Sequence, residues 1–158
     1  MNSIQRLNVL FCLAILFAIL RSPAAEAEVH PGLRFGGYFD AEGAFIGGEV
    51  LADTPWRNWY FNPNVEFVFA DHAKEATFNF DFHYDLPTRS SVYVWVGGGP
   101  AILYRDPENE RLDSETDFAF NVLMGVGFNK GGSVIPYIQP KVILSDHSDF
   151  ALAFGIRF

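Results

Sequence analysis

Few groups in this sequence are of a type that does chemistry, and they are scattered. Asp146-His147-Ser148-Asp149 sets a carboxylate, an imidazole and a hydroxyl side by side, the residue types of an acyl-transferring nucleophile with its base and orienting acid. Neighbours in an extended chain point to opposite faces, so His147 and Ser148 need a turn to meet. A polar hairpin loop explains the four residues as well, so Asp146, His147 and Ser148 stand as weak catalytic candidates and no catalytic residue is assigned. His83 lies two residues from both Asp81 and Asp85, so in a strand all three share a face and resemble half of a metal or proton-transfer site. No second histidine stands at ligand spacing, and a hydrogen-bonded histidine is the expectation. His72 falls in a solvated turn, and His30, before Pro31, falls where disorder is expected. A run of acids, Asp106, Glu108, Glu110, Asp113, Glu115 and Asp117, is offset by Arg105 and Arg111. Such a loop offers carboxylate oxygens to divalent cations but lacks EF-hand spacing, and a hydrated acidic loop is expected. Neither a metal nor a cofactor is called for.

The elements that would position these groups follow a leader. Residues 1–27 read as a signal peptide: Arg6, an apolar run over 9–20, Pro23 and a small-x-small site at Ala25-Glu26-Ala27. That run is too short to span a bilayer as a helix. The remainder, 28–158, forms one domain without cysteine, since Cys12 lies in the leader, so disulfides and thiolate chemistry are excluded. A formal charge of −8 with no basic patch argues against nucleic acid.

From residue 33 onward the chain alternates at a period of two in eight segments: about 33–40, 46–53, 59–70, 77–86, 92–105, 117–128, 134–144 and 149–158. The fourth is the clearest, with Phe78, Phe80, Phe82, Tyr84 and Leu86 on one face and Thr77, Asn79, Asp81, His83 and Asp85 on the other. The second, with Ile46, Gly48 and Val50, has the weakest apolar face of the eight. Gly97 and Gly99 suggest a bulge or a strongly bent strand in the fifth. Pro136 and Pro140 cost the seventh two ladder donors. In the last segment Phe150, Leu152, Phe154, Ile156 and Phe158 face one way, and Ala151, Ala153, Gly155 and Arg157 the other.

A final strand of this length ending on phenylalanine resembles the last strand of bacterial outer-membrane β-barrels, a family whose terminal Phe is an assembly signal; Phe158 takes that place. The whole of 28–158 resembles the small eight-stranded members, similar to the outer-membrane protein A transmembrane domain and to outer-membrane protein X. The expected fold is therefore all-β: an eight-stranded antiparallel up-and-down transmembrane β-barrel. A soluble lipocalin-like barrel is the competing fold, but eight faces rich in Phe would overfill so narrow an interior.

An even strand count returns both termini to one side, expected to be the periplasm, with short turns around 54–58, 87–91 and 129–133 and the longest connection, 106–116, outside. Aromatic girdles are expected from Trp59, Tyr84, Phe128 and Phe158 near the periplasmic rim. Phe39, Phe69, Phe78, Tyr104, Phe118 and Phe150 would form the outer one. The inward set is polar: Arg34, Glu49, Asn62, Asn64, Glu66, Asn79, Asp81, His83, Asp85, Arg105, Asn121, Gln139, Lys141 and Arg157. An ion-pair and amide network filling the lumen is favoured over a narrow pore lined by Glu66, Asp81 and Lys141.

Functionally, the expectation is a non-enzymatic structural or surface-interaction barrel. The alternatives are a lipid A-modifying enzyme using the last outer loop and a small passive pore. The deacylase type of lipid A enzyme carries a His-x-Ser pair that is absent here, and the palmitoyltransferase type resembles the 146–149 loop in composition only. Implied partners are outer-membrane lipids and lipopolysaccharide together with the export and barrel-assembly machinery; a monomer is expected.

Overall fold

The computed structural model describes residues 28–70, 73–107, 114–146 and 148–158. Each alternating segment becomes one strand because a chain with one apolar and one polar face can satisfy both only in a two-sided wall. The strands are β1 (Val29–Tyr38), β2 (Gly43–Asp53), β3 (Trp59–Ala70), β4 (Ala73–Asp85), β5 (Tyr93–Pro107), β6 (Glu115–Gly127), β7 (Ile135–Leu144) and β8 (Asp149–Arg157). They pair antiparallel in chain order, and β1 pairs with β8, so the sheet closes into an eight-stranded barrel with no free edge.

The barrel is inside-out relative to a soluble domain. Phe35, Ile46, Phe67, Phe80, Phe120 and Leu144 are exposed on the outer wall, while the polar residues between them are buried in the lumen. Only a hydrocarbon surround makes that distribution favourable, which defines a transmembrane barrel.

Several borders differ from the sequence reading. β1 begins at Val29, so His30 is paired opposite Leu51 rather than disordered, and its Nδ1 lies 3.2 Å from the Phe158 main-chain oxygen. Pro31 is compatible with this position because its carbonyl, accepting from Phe158 N–H at 2.9 Å, carries the pairing. β4 begins four residues earlier than expected, which moves Phe78 from the rim to mid-strand. Asp106, Glu115 and Asp117 belong to β5 and β6 and not to a loop, leaving a connection of 108–114. That is no longer than 86–92 or 128–134, so loop length does not distinguish the two ends of the barrel.

No bulge occurs in β5: its register with β4 is the same before and after the glycines, from Tyr84↔Val96 to Ala76↔Tyr104. The glycines instead bring β4 and β5 close, since a Cβ on Gly97 would lie 2.7 Å from His83 Cβ. Elsewhere, lumen aromatics lie over glycines across the sheet: Trp95 opposite Gly125, Tyr93 opposite Gly127 and Tyr137 opposite Gly155. A Cβ at any of those three glycines would come within 2.4 Å of the ring.

Mid-strand prolines leave local gaps. Pairing between β2 and β3 lapses where Val50 and Leu51 face Pro63 and Asn62, and between β6 and β7 beside Pro140. Pro136 lies at the start of β7, where its carbonyl accepts from Phe128 N–H at 2.9 Å.

Candidate functional site: the packed lumen

Inward alternation delivers the polar side chains to one compartment. Arg34, Glu49, Asn62, Asn64, Glu66, Asn79, Asp81, His83, Asp85, Asn121, Gln139, Lys141 and Arg157 are all buried there. Arg105 is not: it lies at the rim away from the termini, where its Nε pairs with Glu75 at 2.6 Å.

Glu66 is the hub. Its carboxylate lies 3.0 Å from Arg34 Nη2 and 2.9 Å from Lys141 Nζ, and accepts from Thr77 Oγ1 at 3.2 Å and from the Tyr38 hydroxyl. Glu49 forms a second centre, 2.7 Å from Arg157 Nε and 3.5 Å from Arg34 Nη1. Arg34 on β1 therefore joins the two carboxylates, and the network ties β8, β1, β2, β3 and β7 together.

Beside this lies an amide cluster. Asn64 and Asn121 donate to the two oxygens of Asp81 at 3.0 and 2.9 Å; Asn79 donates to Asn64 Oδ1 at 2.9 Å and accepts from Asn121 at 2.8 Å. Asn121 reaches β4 across β5 because Gly99 and Ala101 intervene with almost no side chain.

Two apolar clusters bracket the charges. Away from the termini, Tyr38, Phe45, Val68, Ile143, Ala151 and Ala153 pack together. Toward the termini, Tyr93, Trp95, Leu123 and Tyr137 do so. The Arg157 guanidinium stacks 4.9 Å above Trp95 and 4.4 Å above Tyr137, and Trp95 Nε1 donates to Gln139 Oε1 at 3.1 Å. His83 stacks on Trp95 at 5.4 Å, with Nε2 3.6 Å from Asp85. At the mouth, Lys130 from the 128–134 turn reaches Asp85 at 3.3 Å. Among the described residues no group of three or more His, Cys, Asp or Glu side chains could hold a metal ion.

The other candidates are described only in part. His147, like His72, Glu108, Glu110, Arg111 and Asp113 and the whole of 1–27, lies outside the described residues. Ser148 Oγ donates to Ser145 O at 3.3 Å, and Asp146 is exposed. On the outer wall Trp59 packs on Tyr84 at 5.5 Å and Phe39 on Phe150 at 5.4 Å; Phe69, Tyr104, Phe118, Phe128 and Phe158 are exposed.

Sequence reasoning named the lumen charges but not Tyr38, Thr77, Trp95 and Tyr137 as their partners. The available signal was a bulky inward aromatic facing glycine on the neighbouring strand.

No protein-family model and no curated protein matches the chain. Among solved structures, the N-terminal β-barrel domain of Pseudomonas aeruginosa OprF superposes with a TM-score of 0.71 at 11% identity, covering 84% of this chain and 98% of that one. Neisserial surface protein A gives 0.61 at 14%, with 83% and 94% covered. Ail, the attachment invasion locus protein of Yersinia pestis, gives 0.51 at 11%, with 84% and 97% covered. At these identities the likeness shows fold: the chain has the architecture of the small eight-stranded outer-membrane β-barrels, as its terminal strand implied.

Proposed function

We propose that this protein is a non-enzymatic barrel of the bacterial outer membrane with a structural or surface-interaction role. Its lumen is a plug, its belt binds lipid and lipopolysaccharide, and both termini lie in the periplasm after removal of residues 1–27 by the export machinery. Phe158 is the signal to the assembly machinery, and the folded barrel is a monomer. The observation that carries the reading is the lumen itself: Glu66, Asp81, Asn121, Gln139 and Arg157 are 0% exposed, and apolar clusters lie on both sides of them. A pore needs hydrated charges, and burial this complete supports a plug instead. The solved neighbours are bacterial outer-membrane proteins, one called a surface protein and another an attachment invasion locus protein, which supports a surface-facing role.

The test is paired. Protein refolded into vesicles and fused to planar bilayers is expected to give no steady conductance, and lipid A from a Gram-negative host expressing it is expected to match the empty-vector spectrum. Discrete channels altered by Lys141→Ala would make it a pore. An acyl change abolished by His147→Ala or Ser148→Ala would make it an enzyme. Protease protection of tagged termini in intact cells tests the orientation, and accessible termini would reverse it.

A further inference from the structure

The outer wall carries a groove where the sequence has its weakest apolar face. Gly48 and Val50 on β2, Pro63 and Val65 on β3, and Phe78 and Phe80 on β4 line an open volume of about 520 Å³. Register places these residues side by side across the sheet, with Gly48 opposite Val65, Val65 opposite Phe78 and Pro63 opposite Phe80. The groove also reaches Gly32 on β1. Crossing four strands at about 4.8 Å spacing makes it roughly 14 Å long.

Two features show that the barrel's own packing does not require this shape. A Cβ built on Gly48 meets only Gly32 O, at 3.9 Å, so a side chain fits there without moving anything. Most inward glycines differ: Gly36, Gly47, Gly97 and Gly125 would each bring a Cβ within 2.3 Å of another atom. The second feature is Pro63, which withholds an N–H from the ladder beside Val50. Asn62 Nδ2, 3.2 Å from Val50 O, supplies the missing donor from the lumen side. The groove is thereby left apolar while the wall stays satisfied, as a hydrocarbon surround demands.

We propose that this groove is a binding site for one acyl chain of a membrane lipid. It opens on the lipid-facing belt, where an unfilled hollow forfeits the contacts of all its lining atoms. A trough about 14 Å long that crosses four strands suits a flexible hydrocarbon chain, which bends to follow the surface it lies on. The convex wall of a second barrel would touch only its edges. The inference rests on the belt facing lipid, and the experiment separates the two.

The full-length barrel is reconstituted in vesicles of dipalmitoyl phosphatidylethanolamine, extracted in mild detergent and weighed by native mass spectrometry. Wild type is expected to retain one lipid. Gly48→Phe, which fills the trough, is expected to lower the retained fraction at least tenfold, with Gly48→Leu intermediate. Val96→Phe, elsewhere on the outer wall, is expected to change nothing. Heat-dependent gel migration reports folding of each variant, and if Gly48→Phe fails to fold, Gly48→Leu decides. No retained lipid in wild type, or equal loss in Val96→Phe, overturns the proposal. So does a wild-type dimer that Gly48 variants dissociate, which would make a second copy the occupant. Failure of wild type to float with the vesicles would refute the lipid-facing belt itself, a result distinct from insertion without a retained chain.

Discussion

Glu66→Gln tests the lumen most directly. Glu66 is fully buried and meets two cations near 3 Å, Arg34 and Lys141. At an effective dielectric of about 20, each such contact is worth roughly 5 kcal/mol before desolvation is counted. Most of that gross figure offsets the cost of burying the ions, so the pair as a whole adds little. Removing one member is different: the amide keeps the shape but turns a donor toward one of the two cations, Arg34 is left sharing Glu49 with Arg157, and Lys141 loses the carboxylate it bridges. Stranding a buried charge costs about 3–5 kcal/mol. The assay is urea unfolding in phospholipid vesicles, followed by tryptophan fluorescence and by gel migration of unheated samples. Glu66→Gln/Lys141→Met removes one stranded cation together with the carboxylate, so the double change is expected to cost less than the two single changes summed, with a coupling of about 1–3 kcal/mol. A loss below about 1 kcal/mol with additive behaviour would mean that water already screens these charges. The plugged lumen would then be wrong.

Three further outcomes are expected by the same assay. Gly125→Ala drives a Cβ to 2.2 Å from Trp95 and should cost about 1–3 kcal/mol, whereas Gly48→Ala, whose Cβ meets only Gly32 O at 3.9 Å, should stay within about 0.5 kcal/mol; equal effects would refute the distinction between the two sites. Asn62→Ala orphans the Val50 carbonyl and should cost about 1–3 kcal/mol, and adding Pro63→Ala, which restores a ladder N–H, should recover part of it. Absence of any recovery would show that the asparagine does not replace the proline's donor. Lys130→Met breaks a contact to Asp85 at the mouth, where the lysine side chain is 39% exposed, and should cost less than about 1 kcal/mol. A loss as large as that of Glu66→Gln would move the mouth into the core network.

The fold was legible because a transmembrane wall forces every residue to choose a face, and Phe78 to Leu86 and Phe150 to Phe158 keep that choice without a break. Borders were less legible where hairpins are tight. β3 and β4 are joined through 71–72 alone, and Ala73 to Ala76 carry no signal stronger than their pairing with β5. His30 was misjudged because its order comes from Ala52, Leu51 and Phe158, none of them near it in sequence. The inward charges could be named from parity, but not their partners: Arg157 meets Glu49 across 108 positions, and nothing local to either predicts it. The bulge expected of Gly97 and Gly99 failed for a related reason. Glycine in a strand marks a close approach, and here the approaching group was the β4 backbone and not an extra residue.

Those long-range pairs concentrate where the barrel closes. A linear chain makes seven of its strand contacts between sequence neighbours, but β1 and β8 must find each other from opposite ends of the domain. Their ladder runs from Gly32↔Arg157 to Tyr38↔Ala151, and it is reinforced at three heights. At one end Phe158 N–H donates to Pro31 O at 2.9 Å. In the lumen Arg157 on β8 and Arg34 on β1 share Glu49 on β2. At the other end the Asp149 carboxylate accepts from the main-chain N–H groups of Asp40 and Ala41 at 2.9 and 3.1 Å. A slip of one residue at this seam would turn Arg157 toward lipid and Ile156 inward, and would break all three at once. Buried ion pairs add little net stability, but they penalise wrong registers heavily. A slipped seam would leave Glu49 in the lumen without Arg157, so the buried charges count against a wrong closure even where they add little to the right one.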